Sequence, residues 1–269
     1  MRLKDKVAIV TGGAQGLGGG IAQRFAQEGA KVVIADVNVE AAEQRQAAIR
    51  EAGGTALFQQ TDVSDEAQVE ALFERAIEAF GRVDILVNNA GIAHGPRAVA
   101  HFFDLTNEMW DRLVGIHLNG LFYCTKRAAR LMAKQGGGCI INMSSGGGTR
   151  AHRHMVAYDM TKGGIEAVTR ALALDLAPFK VRVNVLVPGV IQVEKRAPIG
   201  KETSITPADV IPLGRMGTPA DVAGAAVYLA SEDAAYVTGQ RLVVDGGLTV
   251  QLRTPNVDAQ IDPHILERL

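Results

Sequence analysis

Cysteine is nearly absent from this chain of 269 residues, which holds two, and aromatic residues make up only 5%, with a single tryptophan. Cys124 and Cys139 lie in no partner motif, which excludes a disulfide framework and fits two small buried hydrophobes in a reducing compartment. No apolar run reaches the ~18 residues of a membrane span, and the opening Met1 to Val7 has no apolar signal core. The expected location is therefore cytoplasmic. Charge of one sign is missing too: 28 Lys and Arg stand against 29 Asp and Glu, so no global field favours nucleic acid or a membrane surface. Neither a Pro/Gly/Ser linker nor a repeat nor a charge block divides the chain. One domain over residues 1–269 is expected, although length alone would permit two.

What is present is alternation. Short apolar runs at Val7–Val10, Lys31–Ala35, Ala56–Gln59, Val83–Val87, Cys139–Asn142, Val181–Val187 and Arg241–Val244 read as strands. Longer amphipathic stretches at Leu17–Gln27, Glu40–Glu51, Glu66–Phe80, Asn107–Ala133, Ala157–Leu176 and Pro219–Ala230 read as helices. Ser64 and Thr218 are the helix-start signals, the latter followed by Pro219. Val/Ile/Leu-rich strands separated by helices predict an α/β fold: one doubly wound, Rossmann-type domain with a seven-stranded parallel sheet. Ligands of such sheets bind at the carboxyl ends of the strands.

The first strand runs into Thr11-Gly12-Gly13-Ala14-Gln15-Gly16-Leu17-Gly18 and then a helix. Glycines there permit positive φ and close approach of a pyrophosphate to the backbone. Asp36, at the end of the second strand, is placed to accept the ribose hydroxyls of an adenosine and to repel a 2′-phosphate. Gln15 and Val37 offer no positive charge for such a phosphate, so NAD is expected rather than NADP.

A second constellation lies downstream. Tyr158 follows Ser145 by thirteen positions, and Lys162 follows Tyr158 by four, so a helix places phenol and ammonium on one face. An ammonium beside a phenol favours the phenolate. A hydroxyl, a phenol and a cation around one oxygen are what alcohol–carbonyl interconversion requires. The alternative is a surface tyrosine beside a solvated lysine.

With Asn88-Asn89-Ala90-Gly91 after the fourth strand, Asp62-Val63, Pro188-Gly189 and the closing Val244-Asp245-Gly246-Gly247, the chain resembles the short-chain dehydrogenase/reductase family from about Lys4 to Gly247. The resemblance implies Tyr158 as general acid/base, Ser145 orienting the substrate oxygen, and Lys162 on the nicotinamide ribose. It places Asp62 and Val63 at the adenine, Asn88 through Gly91 beneath the adenosine side, and Val190 and Ile191 at the carboxamide. It also implies a homotetramer built on the helices at 107–133 and 157–176. Two positions depart from the family pattern. His117 stands where an asparagine usually helps hold a relay water, and reads either as a relay member or as a core histidine. Val193 stands where a threonine hydroxyl usually meets the carboxamide.

Substrate specificity is expected from loops. Arg150, His152 and Arg153 before Tyr158, with His94 and Arg97 after Gly91, point to an anionic polar substrate such as a sugar acid or sulfonated sugar. A solvated basic loop is the alternative. His152 and His154 lack the carboxylate or cysteine company of a metal site, so no metal is expected. Residues 192–215, with Lys195, Arg196 and Lys201, read as a substrate lid, and 248–269 as a tail in which Arg253 and His264 reach toward a neighbouring subunit. The expected function is NAD-dependent oxidation of a hydroxyl on a small polar substrate, a sugar or its derivative, giving a lactone if the hydroxyl is anomeric. The alternatives are reduction of a 3-oxoacyl or other ketone, and an NAD-binding sensor without catalysis.

Overall fold

A computed structural model describes residues 1–93, 98–193 and 207–252. Seven parallel strands lie in the order β3-β2-β1-β4-β5-β6-β7. They are β1 (Val7–Thr11), β2 (Lys31–Asp36), β3 (Thr55–Gln60), β4 (Ile85–Asn88), β5 (Gly138–Met143), β6 (Val181–Pro188) and β7 (Arg241–Val244). The helices are α1 (Gly16–Gln27), α2 (Val39–Glu51), α3 (Glu66–Phe80), α4 (Asn107–Val114), α5 (Gly120–Gln135), α6 (Val156–Leu176) and α7 (Pro219–Ala230). This is the doubly wound fold expected from the alternation.

Every residue of β1 is buried, because the sheet is covered on both sides. Alternate side chains sort into two cores. Ala8 and Val10 pack with Phe25 of α1, Ile49 of α2 and Val222 of α7, while Ile9 packs with Phe73 of α3 and Cys124 of α5. Both cysteines are free and buried, and burial pushes their thiols up to about 12 for Cys124 and about 11 for Cys139. The strand order reverses between β1 and β4, which opens a crevice at their carboxyl ends. Gly12 to Gly18 and Asn88 to Gly91 meet at that point.

Two expectations need correction. The helix expected over Asn107–Ala133 is interrupted by a π-helical turn at Gly115–Asn119, which separates α4 from α5. Hydrophobic periodicity is insensitive to one inserted residue, and such turns concentrate at functional sites. Gly120 reopens the α-helix where a Cβ would come within 2.7 Å of a Val63 methyl carbon. The cap of α3 is Asp65 rather than Ser64. The Asp65 carboxylate accepts from the Ala67 and Gln68 N–H groups, while Ser64 donates its hydroxyl to Asp62. At α7 the Asp221 carboxylate accepts both the N–H and the hydroxyl of Thr218.

Candidate active site

The crevice is built from backbone. Gly12 and Gly16 hold φ of 61° and 56°, and a Cβ on Gly18 would stand 2.0 Å from the Gly12 carbonyl oxygen. Only glycine permits this approach. Gln15, the residue before α1, makes no side-chain cap, so the first N–H groups of that helix remain available to an anion. Such a cradle fits the pyrophosphate of a dinucleotide, with Leu17 in the first turn behind it. Asp36 lies at the tip of β2, its Oδ2 accepting from Ala14 N–H at 3.0 Å and its Oδ1 from Asn38 N–H at 3.0 Å. Val37 beside it is exposed. Arg45 of α2 also reaches this loop, donating to the Ala14 carbonyl at 3.3 Å. No local signal marks Arg45, which is 31 residues from its partner.

The tips of β1 and β4 are tied together. Asn89 Nδ2 donates to the carbonyls of Thr11 and Gly12 at 2.9 and 3.0 Å, and the N–H groups of Asn89 and Ala90 both donate to Thr11 Oγ1 at 3.0 Å. Asn88 differs from expectation, because its side chain turns into the protein. It donates to Thr125 and to Asn142, and Asn142 donates to Thr169, forming a buried polar line from β4 through β5 to α6. The Asn88 Oδ1 is buried with no protein partner and adjoins a cavity of about 10 Å³ between Thr11, Ala90, His117 and Met143. That is room for about one water. Asp62 caps its own turn through Ser64, and Val63 is buried beside α5. On the far wall Pro188 ends β6, and Gly189 passes so near Asp245 that a Cβ would meet its side chain at 2.6 Å. Val190 and Ile191 follow, Ile191 pairing with Gly217. Val193 packs partly buried toward Gly16.

Helix α6 brings Tyr158 and Lys162 together one turn apart, only 8% and 6% exposed. The Lys162 Nζ sits 5.5 Å from the centre of the Tyr158 ring and donates to the Met143 carbonyl at 3.0 Å. Burial lowers the lysine to about 8. Ser145 opens a 3₁₀ turn at Gly146–Gly148, and its hydroxyl accepts from Gly147 N–H at 3.4 Å. This turn lies flat on α6 because its residues have no side chains: a Cβ on Gly147 would be 2.1 Å from Asp159 Oδ1, and one on Gly148 2.5 Å from Glu166 Oε1. Glu166 is a member that sequence reasoning missed. It is buried, accepts from the Ser144 hydroxyl at 2.9 Å and pairs with Arg241 of β7 at 3.5 Å.

His117 occupies the π-helical turn, 2% exposed. Its Nε2 lies 3.0 Å from Ile92 N–H, which donates to it, and its Nδ1 lies 2.8 Å from Thr161 Oγ1, whose own hydroxyl donates to the Tyr158 carbonyl at 2.8 Å. The directions are consistent with only one assignment: a neutral ring carrying its proton on Nδ1. Burial, then the charge of Lys162, lowers the imidazole to about 2. Both ring nitrogens are taken, so a relay water has no ring nitrogen to bind. The ring bridges the loop after β4 and α6.

Arg150 is exposed and reaches the chain beyond β7. Its Nη2 donates to the carbonyl of Thr249 and, at 3.2 Å, to that of Gln251. His152 pairs with Asp159, and His154 meets His101 in a tilted ring contact at 5.4 Å between centroids. Arg153 is exposed. A cleft of about 270 Å³ separates Gly146, Arg150 and His152 from Leu248, Thr249 and Leu252. His94 and Arg97, the lid residues Lys195, Arg196 and Lys201, and the tail residues Arg253 and His264 lie outside the described residues. Among the described residues no helix is long and apolar enough to cross a membrane.

Comparison with known proteins agrees with this geometry. The family profile described as enoyl-(acyl carrier protein) reductase matches residues 12–249. A 2,5-dichloro-2,5-cyclohexadiene-1,4-diol dehydrogenase of Sphingobium indicum is 41% identical over 249 residues, covering 93% of this chain and 98% of its own. The NADP-dependent (R)-specific alcohol dehydrogenase of Lentilactobacillus kefiri is also 41% identical, over 256 residues, with 93% and 99% covered. The crystal structure of a 3-ketoacyl-(acyl-carrier-protein) reductase from Brucella melitensis, complexed with NADH, superposes with a TM-score of 0.82 at 38% identity, over 92% of this chain and 99% of that one.

Proposed function

The chain belongs to the short-chain dehydrogenase/reductase family and is an oxidoreductase with a nicotinamide cofactor, and from that premise we propose that it oxidises a hydroxyl of a small polar substrate, a sugar or anionic sugar derivative, with NAD. The observation that carries the chemistry is the desolvated Lys162, held on the Met143 carbonyl one helical turn from Tyr158. Its charge favours a Tyr158 phenolate, which accepts the hydroxyl proton as the alcohol becomes a carbonyl. The Ser145 hydroxyl holds the same substrate oxygen. His117 and Thr161 fix the backbone from which Tyr158 projects. The nicotinamide, when bound, accepts the hydride. Gly12, Gln15, Gly16, Leu17 and Gly18 would hold its pyrophosphate, Asp36 and Val37 the adenosine ribose, Asp62, Val63, Asn89, Ala90 and Gly91 the adenosine side, and Pro188 to Ile191 the carboxamide.

Preference for NAD rests on the Asp36 carboxylate at the tip of β2, where a 2′-phosphate would be repelled. One relative is NADP-dependent, so this preference needs its own measurement. We expect Asp36→Ala to lower kcat/KM with NAD by at least about tenfold and to narrow the NAD/NADP ratio. Residues 192–215 are read as the substrate lid and 248–269 as a tail. The protein is read as a cytoplasmic homotetramer, supported by exposed Phe122 and Leu174 on α5 and α6. Reduction of a ketone by the same residues is the second reading, supported by the identity to the ketoacyl reductase. The test is absorbance of reduced nicotinamide with NAD and NADP in parallel, against neutral sugars, uronic acids, sulfonated sugars, secondary alcohols and hydroxyacyl thioesters. Turnover confined to thioesters would overturn the sugar reading and leave the oxidoreductase.

A further inference from the structure

His152 and Asp159 form a pair that the proton chemistry above does not use. His152 Nδ1 lies 2.8 Å from Asp159 Oδ1, and the His152 backbone N–H donates to Asp159 Oδ2 at 2.6 Å. One carboxylate, only 14% exposed in the first turn of α6, therefore fixes both the ring and the backbone of His152. A carboxylate accepts, so a ring proton resides on Nδ1, and Nε2 is left to meet a partner from outside the pair. The pair is built into the Ser145 turn: a Cβ on Gly147 would stand 2.9 Å from His152 Nδ1. The ring meets Tyr158 edge-on at 6.3 Å between centroids. With Gly146 and Arg150 it lines the cleft of about 270 Å³ facing Thr249 and Leu252. Arg150 forms a wall of that cleft, since its guanidinium holds the carbonyls of Thr249 and Gln251.

We propose that His152 is a specificity residue whose Nε2 accepts a hydrogen bond from a second hydroxyl of the substrate, adjacent to the one oxidised, which selects neutral vicinal diols over mono-alcohols. The inference rests on the dehydrogenase reading and narrows it. Tyr158 and Ser145 serve the reacting oxygen, and the neighbouring hydroxyl needs an acceptor on the same side of α6. A pre-oriented imidazole supplies it with little loss of rotamer freedom, because Asp159 already holds the ring. The His152 side chain is 48% exposed in the free protein, so water serves Nε2 there. A substrate that covers the ring without supplying that hydroxyl leaves Nε2 unpaired, and a site built to receive a hydroxyl rejects the analogue lacking one.

The experiment compares substrates that differ by one hydroxyl: cyclohexanol with cis- and trans-1,2-cyclohexanediol, and 2-deoxy-D-glucose with D-glucose, each with NAD and NADP. Wild-type kcat/KM is expected to be about tenfold or more higher for the hydroxylated member of a pair. In His152→Ala that ratio falls to within about twofold, chiefly through KM, whereas His152→Gln, whose amide oxygen can accept, retains part of it. The NADH affinity of each variant reports whether the fold is kept. A wild-type ratio near one, a ratio unchanged in a folded His152→Ala, or a preference for glucuronate over glucose overturns the inference and leaves the dehydrogenase standing. No oxidation of any of these compounds, nor of the uronic acids, sulfonated sugars and secondary alcohols of the wider panel, with either nucleotide overturns the proposed function itself.

Discussion

The two halves of the crevice solve different problems with different materials. From β1 to β4, binding is arranged by backbone: positive φ at Gly12 and Gly16, the uncapped start of α1, and amide groups of Asn89 and Ala90 folded onto Thr11. Around α6 and the strands β5 to β7 the site is made of buried polar side chains: Lys162 on Met143, His117 on Thr161, Glu166 between Ser144 and Arg241. A backbone cradle is a matter of shape and tolerates little change in volume. A buried polar network is a matter of protonation, so pH should act on the second half and leave the first nearly untouched.

The largest test of that division is Tyr158→Phe. Turnover should fall by about 10²-fold to 10⁴-fold, while NADH affinity stays within about twofold of wild type. Steady-state kinetics and nucleotide fluorescence read both quantities, and retention of turnover would remove Tyr158 from the chemistry. Gly18→Ala should give the converse. Its Cβ has no room beside the Gly12 carbonyl, so unfolding stability should drop by roughly 1–3 kcal/mol and dinucleotide binding should weaken at any pH.

Lys162→Met sharpens the contrast further. The native lysine is lowered to about 8, below its unfolded value, so the native state resists a proton that the unfolded state accepts. Wild-type stability should therefore rise as pH increases from about 8 toward about 10.5, where both states become neutral. The variant lacks this rise. Any stability advantage of Lys162→Met in the protein without nucleotide should be greatest below pH 8 and shrink above it, as denaturant titrations at several pH values would read. Parallel pH profiles for the two proteins would rule out the buried amine as their source.

Most of the first half is legible in the sequence. Glycine spacing, the acid ending β2 and the Asn88–Gly91 turn are local signals, and local geometry is what they specify. Legibility falls where partners are distant. Glu166 meets Arg241 across 75 positions, and only the pairing of β6 with β7 beside α6 brings them together. The contacts of Arg150 with the carbonyls of Thr249 and Gln251, 99 and 101 positions away, are equally invisible in composition, which reports a charge and not what it touches. The π-helical turn escapes for a related reason: it changes hydrogen-bond register within a stretch whose apolar pattern still suits a helix.

That turn sets the last and smallest test, His117→Asn. The native ring is held neutral, lowered to about 2 by burial and by Lys162, while the unfolded ring titrates near 6.5. Because the folded value is depressed, the unfolded state gains a proton below about 6.5 that the native state refuses. Wild type therefore loses stability progressively as pH falls through that range, by on the order of 2 kcal/mol at about pH 5. Asparagine does not titrate, so the gap between wild type and His117→Asn should widen against wild type from pH 7 to pH 5 in thermal or urea unfolding. An asparagine amide can still bridge toward Ile92, so turnover near neutrality should fall much less in His117→Asn than in His117→Ala. If acid sensitivity is the same in wild type and His117→Asn, the ring is not a buried neutral bridge, and its place among the pH-responsive groups of the second half is lost.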